Sequence, residues 1–410
     1  MKPTDDLTLT IDHVAFGGKG VARLDGRVIF VPGTMAGETV RARISQEHKD
    51  YDVARLIKVV EPHEARISPT CQFALRPNGI GPISDTFCQG CQYQHMSYDA
   101  ECALKTEQLK ELLRHKTQQA GERVHDIIPS PEETGYRNKI RLTASNDRGH
   151  VTFGYIHEDS HEVIDLDHCP IANDSINTLL SELREKPGFL HSLRDRTTVT
   201  IRSTGEDATH WRDKPGKKVN WLKETTSLGP LSVPAGSFFQ VNPGSAGRLI
   251  DYVGERISSS PAQFVLDLYC GAGVFALLAA QAGKQAVMGV DLDEQVIEAA
   301  RYNAKTLNLN VDFRAMDAKT AMKAYLGRTP EDLILILDPP RSGLHPDERA
   351  RIAQHRPSEI IYVSCAPDTL ARDLTELENA GYTVNSVQPI DMFPRTKHFE
   401  TVTHLTRDND

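Results

Sequence analysis

Apolar residues in the first 60 positions recur in short alternating runs that are separated by turn residues. The alternation is typical of half-buried strands, and pairs such as Gly17-Gly18, Asp25-Gly26 and Pro32-Gly33 are typical of the turns between them. The predicted strands are Leu7–Ile11, Arg27–Val31, Thr39–Ile44 and Val53–Val60. So many strands in so short a stretch predict a small β-barrel, although a generic β module would give the same pattern.

The pattern changes to a helical period after a stretch rich in turns. A helix is predicted from Ser97 to about Ala120, with Ser97 as its N-cap. Its apolar stripe is formed by Leu104, Leu109, Leu112 and Leu113. From Tyr136 to Asn242 the pattern again favours strands and turns.

From Ser245 onward, apolar runs alternate with helical stretches. The predicted strands are Phe264–Leu268, Ala286–Val290, Leu333–Leu337 and Ile360–Val363. This alternation predicts a doubly wound, Rossmann-like α/β domain.

The length of 410 residues favours two or three domains. We expect a barrel at 1–61, a β-rich central domain at 62–244 and a catalytic domain at 245–410. The helix near 97–120 docks on either the central or the catalytic domain.

Charge and cysteine content narrow the class of protein. A net charge of −9 argues against a uniformly basic nucleic-acid coat. The stretch 186–223 is locally basic and contains Trp211 and Trp221, so it either faces RNA or is a solvated face. The longest apolar run, 264–280, contains Asp267 and glycines, and no membrane span or signal peptide is predicted.

Seven cysteines without a signal favour a reducing cytoplasm and cysteine chemistry rather than disulfides.

A glycine loop follows the first strand of the α/β region. Gly271 and Gly273 permit a tight turn close to a ligand, and Asp291 ends the next strand, where it suits a ribose hydroxyl pair. Nicotinamide cofactors and S-adenosylmethionine both use this geometry, so the loop alone leaves two cofactors open.

A second motif separates these cofactors. The strand Leu333–Leu337 runs into Asp338-Pro339-Pro340-Arg341, at the end of an α/β sheet where ligands bind. This resembles the acidic-Pro-Pro motif of class I methyltransferases that act on nitrogen or on nucleobases. A plain strand–turn–helix scaffold is the alternative.

A cysteine and a carboxylate complete the candidate chemistry. Cys365 follows the strand Ile360–Val363 and precedes a helix start, which favours a thiolate, although cysteines at strand ends are also common as inert buried residues. His398 and Glu400 lie two residues apart, so both side chains can point to one side of an extended segment.

Taken in order, these motifs resemble the RNA uracil-C5 methyltransferase family, whose members make 5-methyluridine in tRNA and rRNA. The resemblance covers almost the whole chain. It includes Tyr136–Arg141, Gly236–Asn242, the Asp267 loop, Asp338–Arg341, Ser364-Cys365 and Met392-Phe393-Pro394 with His398 and Glu400. The chain has Ala366 where the family often has asparagine.

The resemblance implies a mechanism and a set of site residues. Cys365 would be the nucleophile that adds to carbon 6 of uracil, and Glu400 the base that removes the carbon 5 proton. S-adenosylmethionine would lie against Gln240, Tyr269, Asp291 and Asp338, with Arg341 and His398 as helpers. The expected substrate is a uridine in 23S rRNA, with tRNA as the alternative, and the enzyme is expected to be a monomer.

Four other cysteines are spaced as ligands. Cys71, Cys88, Cys91 and Cys169 can bind zinc or an iron–sulfur cluster. The resemblance favours a [4Fe–4S] cluster, and zinc is the alternative. The residues 74–86 form an inserted loop between the first two cysteines, and Cys102 and Cys270 are expected to be free packing thiols.

Through Gly18–Ala22 and Phe30–Gly33, the first 60 residues resemble the TRAM domain, a small five-stranded OB-like β-barrel that binds RNA. Its candidate phosphate contacts are Lys19, Arg23, Arg41 and Arg43. Two rival functions remain: a nicotinamide-dependent oxidoreductase, which leaves Cys365 and Glu400 without a role, and a catalytically silent RNA-binding protein.

Overall fold

The structure is a computed structural model that describes residues 6–76, 87–157, 160–203, 205, 207–213, 221–327 and 332–408. Its chain forms two compact units. The first unit comprises Met1–Gln108, Glu133–Asp213 and Phe393–Lys397. The second comprises Leu109–Glu132, Lys214–Met392 and His398–Asp410.

The first unit begins with a six-stranded sheet in the order β1-β5-β6-β4-β3-β2. Its strands are β1 Asp6–Thr10, β2 His13–Val14, β3 Lys19–Leu24, β4 Arg27–Pro32, β5 Thr39–Glu47 and β6 Tyr51–Glu61. Every pair is antiparallel except β4 with β6, which is parallel. The inward residues of this sheet, among them Ile29, Val40 and Ala54, form one apolar core, as alternation predicts. The four predicted strands are confirmed.

A second sheet of the first unit has the order β11-β10-β7-β8-β9 and is antiparallel throughout. Its strands are β7 Lys139–Asp147, β8 His150–Ile156, β9 Val163–Asp165, β10 Thr198–Ser203 and β11 Ala208–Arg212. Helix α2, Asp174–Glu185, packs Ile176, Leu180 and Leu183 into the same core as the strands. The sequence pattern did not predict this helix.

Helix α1, Tyr98–Lys116, begins after Ser97, whose hydroxyl accepts a hydrogen bond from the Ala100 amide at 3.4 Å. The predicted helix is therefore confirmed, but it ends four residues before Ala120. Its first part, up to Gln108, belongs to the first unit and the rest to the second.

The second unit is built on a seven-stranded sheet in the order β16-β15-β14-β17-β18-β20-β19. The strands are β14 Phe264–Leu268, β15 Ala286–Asp291, β16 Asp312–Ala315, β17 Leu333–Leu337, β18 Glu359–Ser364, β19 Tyr382–Ile390 and β20 Glu400–Arg407. Five strands are parallel, and β20 and β19 complete the sheet in antiparallel orientation. The predicted α/β alternation is confirmed.

Helices and one hairpin surround this sheet. The helices are α3 Pro243–Ser259, α4 Val274–Gln281, α5 Glu294–Leu307, α6 Ala318–Tyr325, α7 Pro346–His355 and α8 Pro367–Asn379. The hairpin consists of β12 Trp221–Thr226 and β13 Gly229–Pro234. No helix among the described residues is long and apolar enough to span a membrane.

Candidate active site

Three predicted cofactor residues lie side by side at the carboxyl edge of the large sheet. Leu268 of β14 is in register with Val290 of β15 on one side and with Leu337 of β17 on the other. The next residue of each strand is Tyr269, Asp291 or Asp338. Parallel strands in register bring their following residues to one edge, so the sheet places these three together, where α/β proteins bind ligands.

The glycine loop is fixed against this edge by hydrogen bonds. The Gly271 amide donates to Asp291 Oδ2 at 3.0 Å, and the Ala276 amide donates to Asp267 Oδ2 at 3.0 Å. Gly273 has a φ of +90°, and a Cβ there would lie 2.6 Å from the Phe313 ring. Glycine is therefore required at position 273 by both backbone conformation and space.

Burial and mutual repulsion disfavour the charged forms of two acids at this edge, Asp338 and Asp267. Burial, and then the negative charge of Asp291, raise the pKa of Asp338 to about 7. Burial raises the pKa of Asp267 well above its usual range, and Asp338 and Asp291 raise it further. A cationic ligand relieves this repulsion, whereas the diphosphate of a dinucleotide adds to it. The charge therefore favours S-adenosylmethionine, with its sulfonium and ammonium groups, over a nicotinamide cofactor.

Gln240 supplies an unmatched polar group near the start of α3. Its Oε1 is buried and has no hydrogen-bond partner among the described residues. Two residues later, Asn242 caps α3 by accepting from the Ser245 amide at 3.1 Å, and it donates to the Met392 carbonyl at 3.3 Å. An orphaned acceptor on a well-anchored segment fits a ligand that donates a hydrogen bond.

Two apolar side chains near these residues are exposed, and sequence reasoning did not single them out. Leu292 follows Asp291 directly and is 74% exposed, and Phe238 precedes Gln240 by two residues and is 70% exposed. Large apolar groups this exposed beside polar ligand-binding residues offer surfaces for planar rings. Their position next to motif residues is the sequence signal that would have found them.

The predicted nucleophile and base face one another across two strands. Ser364 of β18 is the antiparallel partner of Thr401 in β20. The next residue in one direction is Cys365, and in the other it is Glu400, so the register opposes them as a cross-strand pair. Cys365 is half-buried and Glu400 is buried.

The charges around Cys365 come from three side chains. Burial raises the pKa of the thiol, and the negative charges of Glu400 and Asp338 raise it further. The Arg341 guanidinium, which interacts with the thiol both by charge and by a hydrogen bond, lowers it. Burial and Asp338 raise the pKa of Glu400 well above its usual range, while Arg341 lowers it. The two predicted catalytic residues and Asp338 therefore form one electrostatic cluster.

The helix that follows Cys365 lacks a side-chain cap. Ala366 occupies the N-cap position of α8 without a side-chain hydrogen bond, and Pro367 opens the helix. Ser364 Oγ instead accepts a hydrogen bond from the Ala366 amide at 3.1 Å. The alanine that departs from the family pattern thus leaves the strand end and the thiol in place.

Glu348 is a supporting residue that sequence reasoning missed. Its Oε1 accepts a hydrogen bond from the Tyr269 hydroxyl at 2.9 Å, and its Oε2 accepts from the His345 amide at 2.7 Å. Tyr269 has a φ of +65°, a strained conformation for a residue with a side chain. The capping-box spacing of His345 and Glu348 was the available signal.

The four predicted ligand cysteines lie around one cavity of about 180 Å³ in the first unit. Cys71, Cys88, Cys91 and Cys169 line it together with Arg137 and Tyr155, among others. Burial raises the pKa of Cys88 to about 11 and that of Cys91 to about 12. In the described part of the chain, no three His, Cys, Asp or Glu side chains are grouped closely enough to hold a metal ion. The cysteines converge on one space without forming a single-ion site.

The seven cysteines, all of which are described, form no disulfide bond with one another. Cys270 is buried, and Cys102 is half-buried in α1. Of the inserted loop 74–86, positions 77–86 lie outside the described residues.

Buried and paired arginines reduce the exposed positive charge of the predicted basic surfaces. Arg202, in the stretch 186–223, is 1% exposed within β10, so it adds no exposed charge to that stretch. Positions 204, 206 and 214–220 of that stretch lie outside the described residues. In the first sheet, Arg41 and Arg43 both pair with Asp6, at 2.5 and 2.7 Å. One carboxylate thus offsets part of the charge of two candidate phosphate contacts.

Comparisons with known proteins agree with this geometry. Residues 231–408 match the family model described as tRNA (Uracil-5-)-methyltransferase. An uncharacterized RNA methyltransferase of Halalkalibacterium halodurans is 30% identical, over 99% of this chain and 98% of its own. Another, from Gloeobacter violaceus, is 31% identical over 98% of this chain and 96% of its own.

A solved structure shows the same fold. The tRNA (uracil-54, C5)-methyltransferase of Pyrococcus abyssi, in complex with S-adenosyl-L-homocysteine, has a TM-score of 0.74 and 24% identity, covering 98% of this chain and all of its own. The relatives, which match over nearly their whole length, and the family model show that the chain belongs to the class I, S-adenosylmethionine-dependent RNA uracil-C5 methyltransferases.

Proposed function

We propose that this enzyme methylates carbon 5 of a uridine through a covalent bond between Cys365 and carbon 6 of the base. The observation that carries the proposal is the register of β18 with β20, which ends at Ser364 and Thr401 and so brings the next residues, Cys365 and Glu400, opposite each other. The carboxyls of Glu400 and Asp338 both act electrostatically on the thiol, which supports a shared role of these three residues.

The chemistry assigns each residue a task. Carbon 5 of uracil is a weak nucleophile, so the Cys365 thiolate first adds to carbon 6 and the ring becomes an enolate. Carbon 5 then takes the methyl group from the sulfonium of S-adenosylmethionine: the sulfur–methyl bond breaks, its electron pair stays on sulfur, and S-adenosylhomocysteine is the leaving group. Glu400 takes the proton from carbon 5, the carbon 6–sulfur bond breaks, and the electron pair returns to Cys365 as a thiolate.

Arg341 and the cofactor residues support these steps. The Arg341 guanidinium favours the thiolate form of Cys365. Gln240, Tyr269, Asp291 and Asp338 are proposed to hold S-adenosylmethionine, with Asp291 on the ribose hydroxyls. His398 is proposed to assist the reaction, with no specific atom of the substrate assigned to it.

The target uridine must leave its stack to reach Cys365, at a cost of about a few kcal/mol. This cost is smallest in a loop, which favours a uridine that is already unpaired. The exposed Phe238 ring, two residues from Gln240, is suited to stack on a base that has been turned out.

The substrate proposed first is 23S rRNA, because the N-terminal strands and four cysteines resemble the rRNA-directed members of the family. A TRAM-like barrel at 1–61 and a central domain at 62–244 belong to the same proposal, as do a cytoplasmic location and a monomeric state. The second candidate is tRNA, favoured by the solved structure of similar fold, which is a tRNA enzyme.

One experiment tests both the reaction and the substrate. The purified protein is incubated with S-adenosylmethionine and total RNA lacking 5-methyluridine, and the modified position is mapped by mass spectrometry. A single new 5-methyluridine in 23S rRNA is expected, and a site in tRNA would transfer the proposal to the second candidate. The Cys365→Ser variant should be inactive, whereas Cys102→Ser should retain activity. Full methyl transfer by Cys365→Ser would overturn the nucleophile.

A [4Fe–4S] cluster on Cys71, Cys88, Cys91 and Cys169 is proposed for the cavity of the first unit. The support for this proposal is that all four cysteines line one cavity of the first unit, and four thiolates can hold such a cluster. Zinc, which four thiolates also bind, is the alternative. Iron and sulfide analysis after anaerobic purification should give about four of each per chain, and zinc without iron would favour the alternative.

A further inference from the structure

The segment between β17 and α7 carries Arg341, and its backbone is held from α8. The Thr369 hydroxyl lies 3.0 Å from the carbonyl oxygens of both Arg341 and Ala366. Arg372 Nη2 donates to the Ser342 carbonyl at 3.0 Å. Asp373 Oδ2 accepts from the Leu344 amide at 2.8 Å. Three of the four positions 341–344 are therefore hydrogen-bonded to one helix.

The same helix is hydrogen-bonded to β18, the strand that leads to Cys365. Helix α8 begins at Pro367, two residues after Cys365. Asp373 is fully buried and also accepts from the hydroxyl of Tyr362, a residue of β18, at 2.8 Å. It further pairs with Arg349 of α7 at 3.2 Å. Helix α8 therefore holds both the segment that carries Arg341 and the strand that leads to Cys365.

The position of the Arg341 guanidinium depends on these backbone contacts because its side chain is exposed. An exposed arginine has many rotamers, and packing does not select one of them. Its distance from Cys365 therefore depends on where the backbone of the segment is fixed. A guanidinium that moves away by a few ångströms into solvent loses most of its effect on a thiol.

We propose that Thr369, Arg372 and Asp373 are positioning residues that hold Arg341 against Cys365 and so assist formation of the thiolate. The proposal rests on the proposed role of Cys365 in the reaction. The charged groups that face the thiol are Arg341, which favours its ionisation, and Glu400 and Asp338, which oppose it. Loosening the segment removes the favourable charge and leaves the two unfavourable ones.

The test measures Cys365 itself, without RNA or S-adenosylmethionine. The rate of alkylation by iodoacetamide is followed at Cys365 by peptide mass spectrometry, as a function of pH. Arg341→Ala, Thr369→Val and Arg372→Ala should each shift the profile to higher pH. A shift of half a unit to one unit corresponds to alkylation about three- to tenfold slower below the thiol pKa.

Two matched variants control for general effects of substitution. Thr375→Val makes the same change on the same helix, but the Thr375 hydroxyl lies 2.7 Å from the Lys116 carbonyl rather than on the segment. Its profile should equal that of the wild type. Thr369→Ser keeps the hydroxyl and should restore the wild-type profile, which a loss of packing alone would not explain.

The outcomes separate this inference from the proposed function. A shift in Arg341→Ala without a shift in Thr369→Val and Arg372→Ala would overturn the positioning role. An unchanged profile in Arg341→Ala would overturn it as well. Neither result would affect the proposed function, which falls with full methyl transfer by Cys365→Ser.

Discussion

Two carboxylates at the active site differ in what surrounds them. Glu400 is buried beside Cys365 and Asp338, and its pKa is raised well above the usual range. Asp291 accepts hydrogen bonds from the Gly271 amide at 3.0 Å and from the Asp293 amide at 2.9 Å. These surroundings suit the proton exchange proposed for Glu400, whereas Asp291 also holds the backbone of the glycine loop.

Glu400→Gln should separate two steps of the reaction. The variant still forms the bond to carbon 6 but cannot remove the carbon 5 proton, so a covalent protein–RNA adduct accumulates and turnover falls by at least a hundredfold. Denaturing gel electrophoresis detects the adduct. The exposed Glu298→Gln serves as control, and normal turnover by Glu400→Gln would refute the assignment of the base.

The same variant makes a prediction about pH. A negative Glu400 raises the pKa of Cys365, so its replacement by a neutral amide lowers that pKa. The alkylation profile of Cys365 should therefore move to lower pH in Glu400→Gln, opposite to the shift expected for Arg341→Ala. A shift in the same direction for both variants would contradict the electrostatic cluster.

Asp291→Ala should weaken binding of S-adenosylmethionine by more than about tenfold, because a ribose partner and the anchor of the glycine loop are lost together. Isothermal titration calorimetry measures the change. Asp293→Ala, which removes the N-cap of α5 two residues away, is the control and should bind nearly normally. Equal effects of the two substitutions would show that Asp291 acts only through the fold.

At the scale of elements, the glycine loop, β15 and β16 meet around one aromatic ring. A Cβ at Gly289 of β15 would overlap the Phe313 ring, and a Cβ at Gly273 would lie 2.6 Å from it. Phe313 is a buried residue of β16. Both glycines therefore leave room for the same ring, and Gly273 also has a φ of +90°, which favours glycine.

Gly289→Ala and Gly273→Ala should respond differently to a smaller ring partner. Each should destabilise the fold by about 1–3 kcal/mol through overpacking. In a Phe313→Leu background the cost of Gly289→Ala should fall, whereas Gly273→Ala should stay costly because its φ of +90° disfavours any side chain. Urea unfolding of the double-mutant cycles measures this, and an equal rescue of both glycines would contradict it.

At the scale of the molecule, the chain passes between its two units several times. The segment Phe393–Lys397 belongs to the first unit, although the residues before and after it belong to the second. Within the first unit this segment is held by buried charges of α1. Glu101 pairs with Lys105 at 2.7 Å and accepts from the Arg395 amide at 2.7 Å, and Lys105 donates to the Phe393 carbonyl at 3.3 Å.

Glu101→Gln should therefore destabilise the protein strongly. Both Glu101 and Lys105 are fully buried, so the substitution leaves a buried ammonium without its counter-charge, at a cost of about 3–5 kcal/mol. The midpoint of urea unfolding should fall accordingly. Glu111→Gln, an exposed change on the same helix, should leave the midpoint unchanged, and similar midpoints for both variants would show that the pair contributes little.

Much of the second unit was predictable from its sequence. The strands Phe264–Leu268 and Leu333–Leu337 were predicted with their observed bounds, because buried parallel strands are continuous apolar runs with turn residues at their ends. Helix α2 was missed because its apolar residues lie in a region dominated by strand and turn signals. The burial of Arg202 could not be predicted, because the local sequence does not show which arginine within a strand is buried.

The candidate site residues and the strand ends on which they lie could be identified from local sequence patterns. Apolar runs, glycines and prolines influence the backbone only within a few residues, so the local sequence is enough to recognise them. Which of these residues lie close together could be seen only in the tertiary structure. The register of β18 with β20 opposes Cys365 to Glu400, and the bonds from α8 fix the segment of Arg341, because pairings between distant strands and helices depend on packing that no local pattern records.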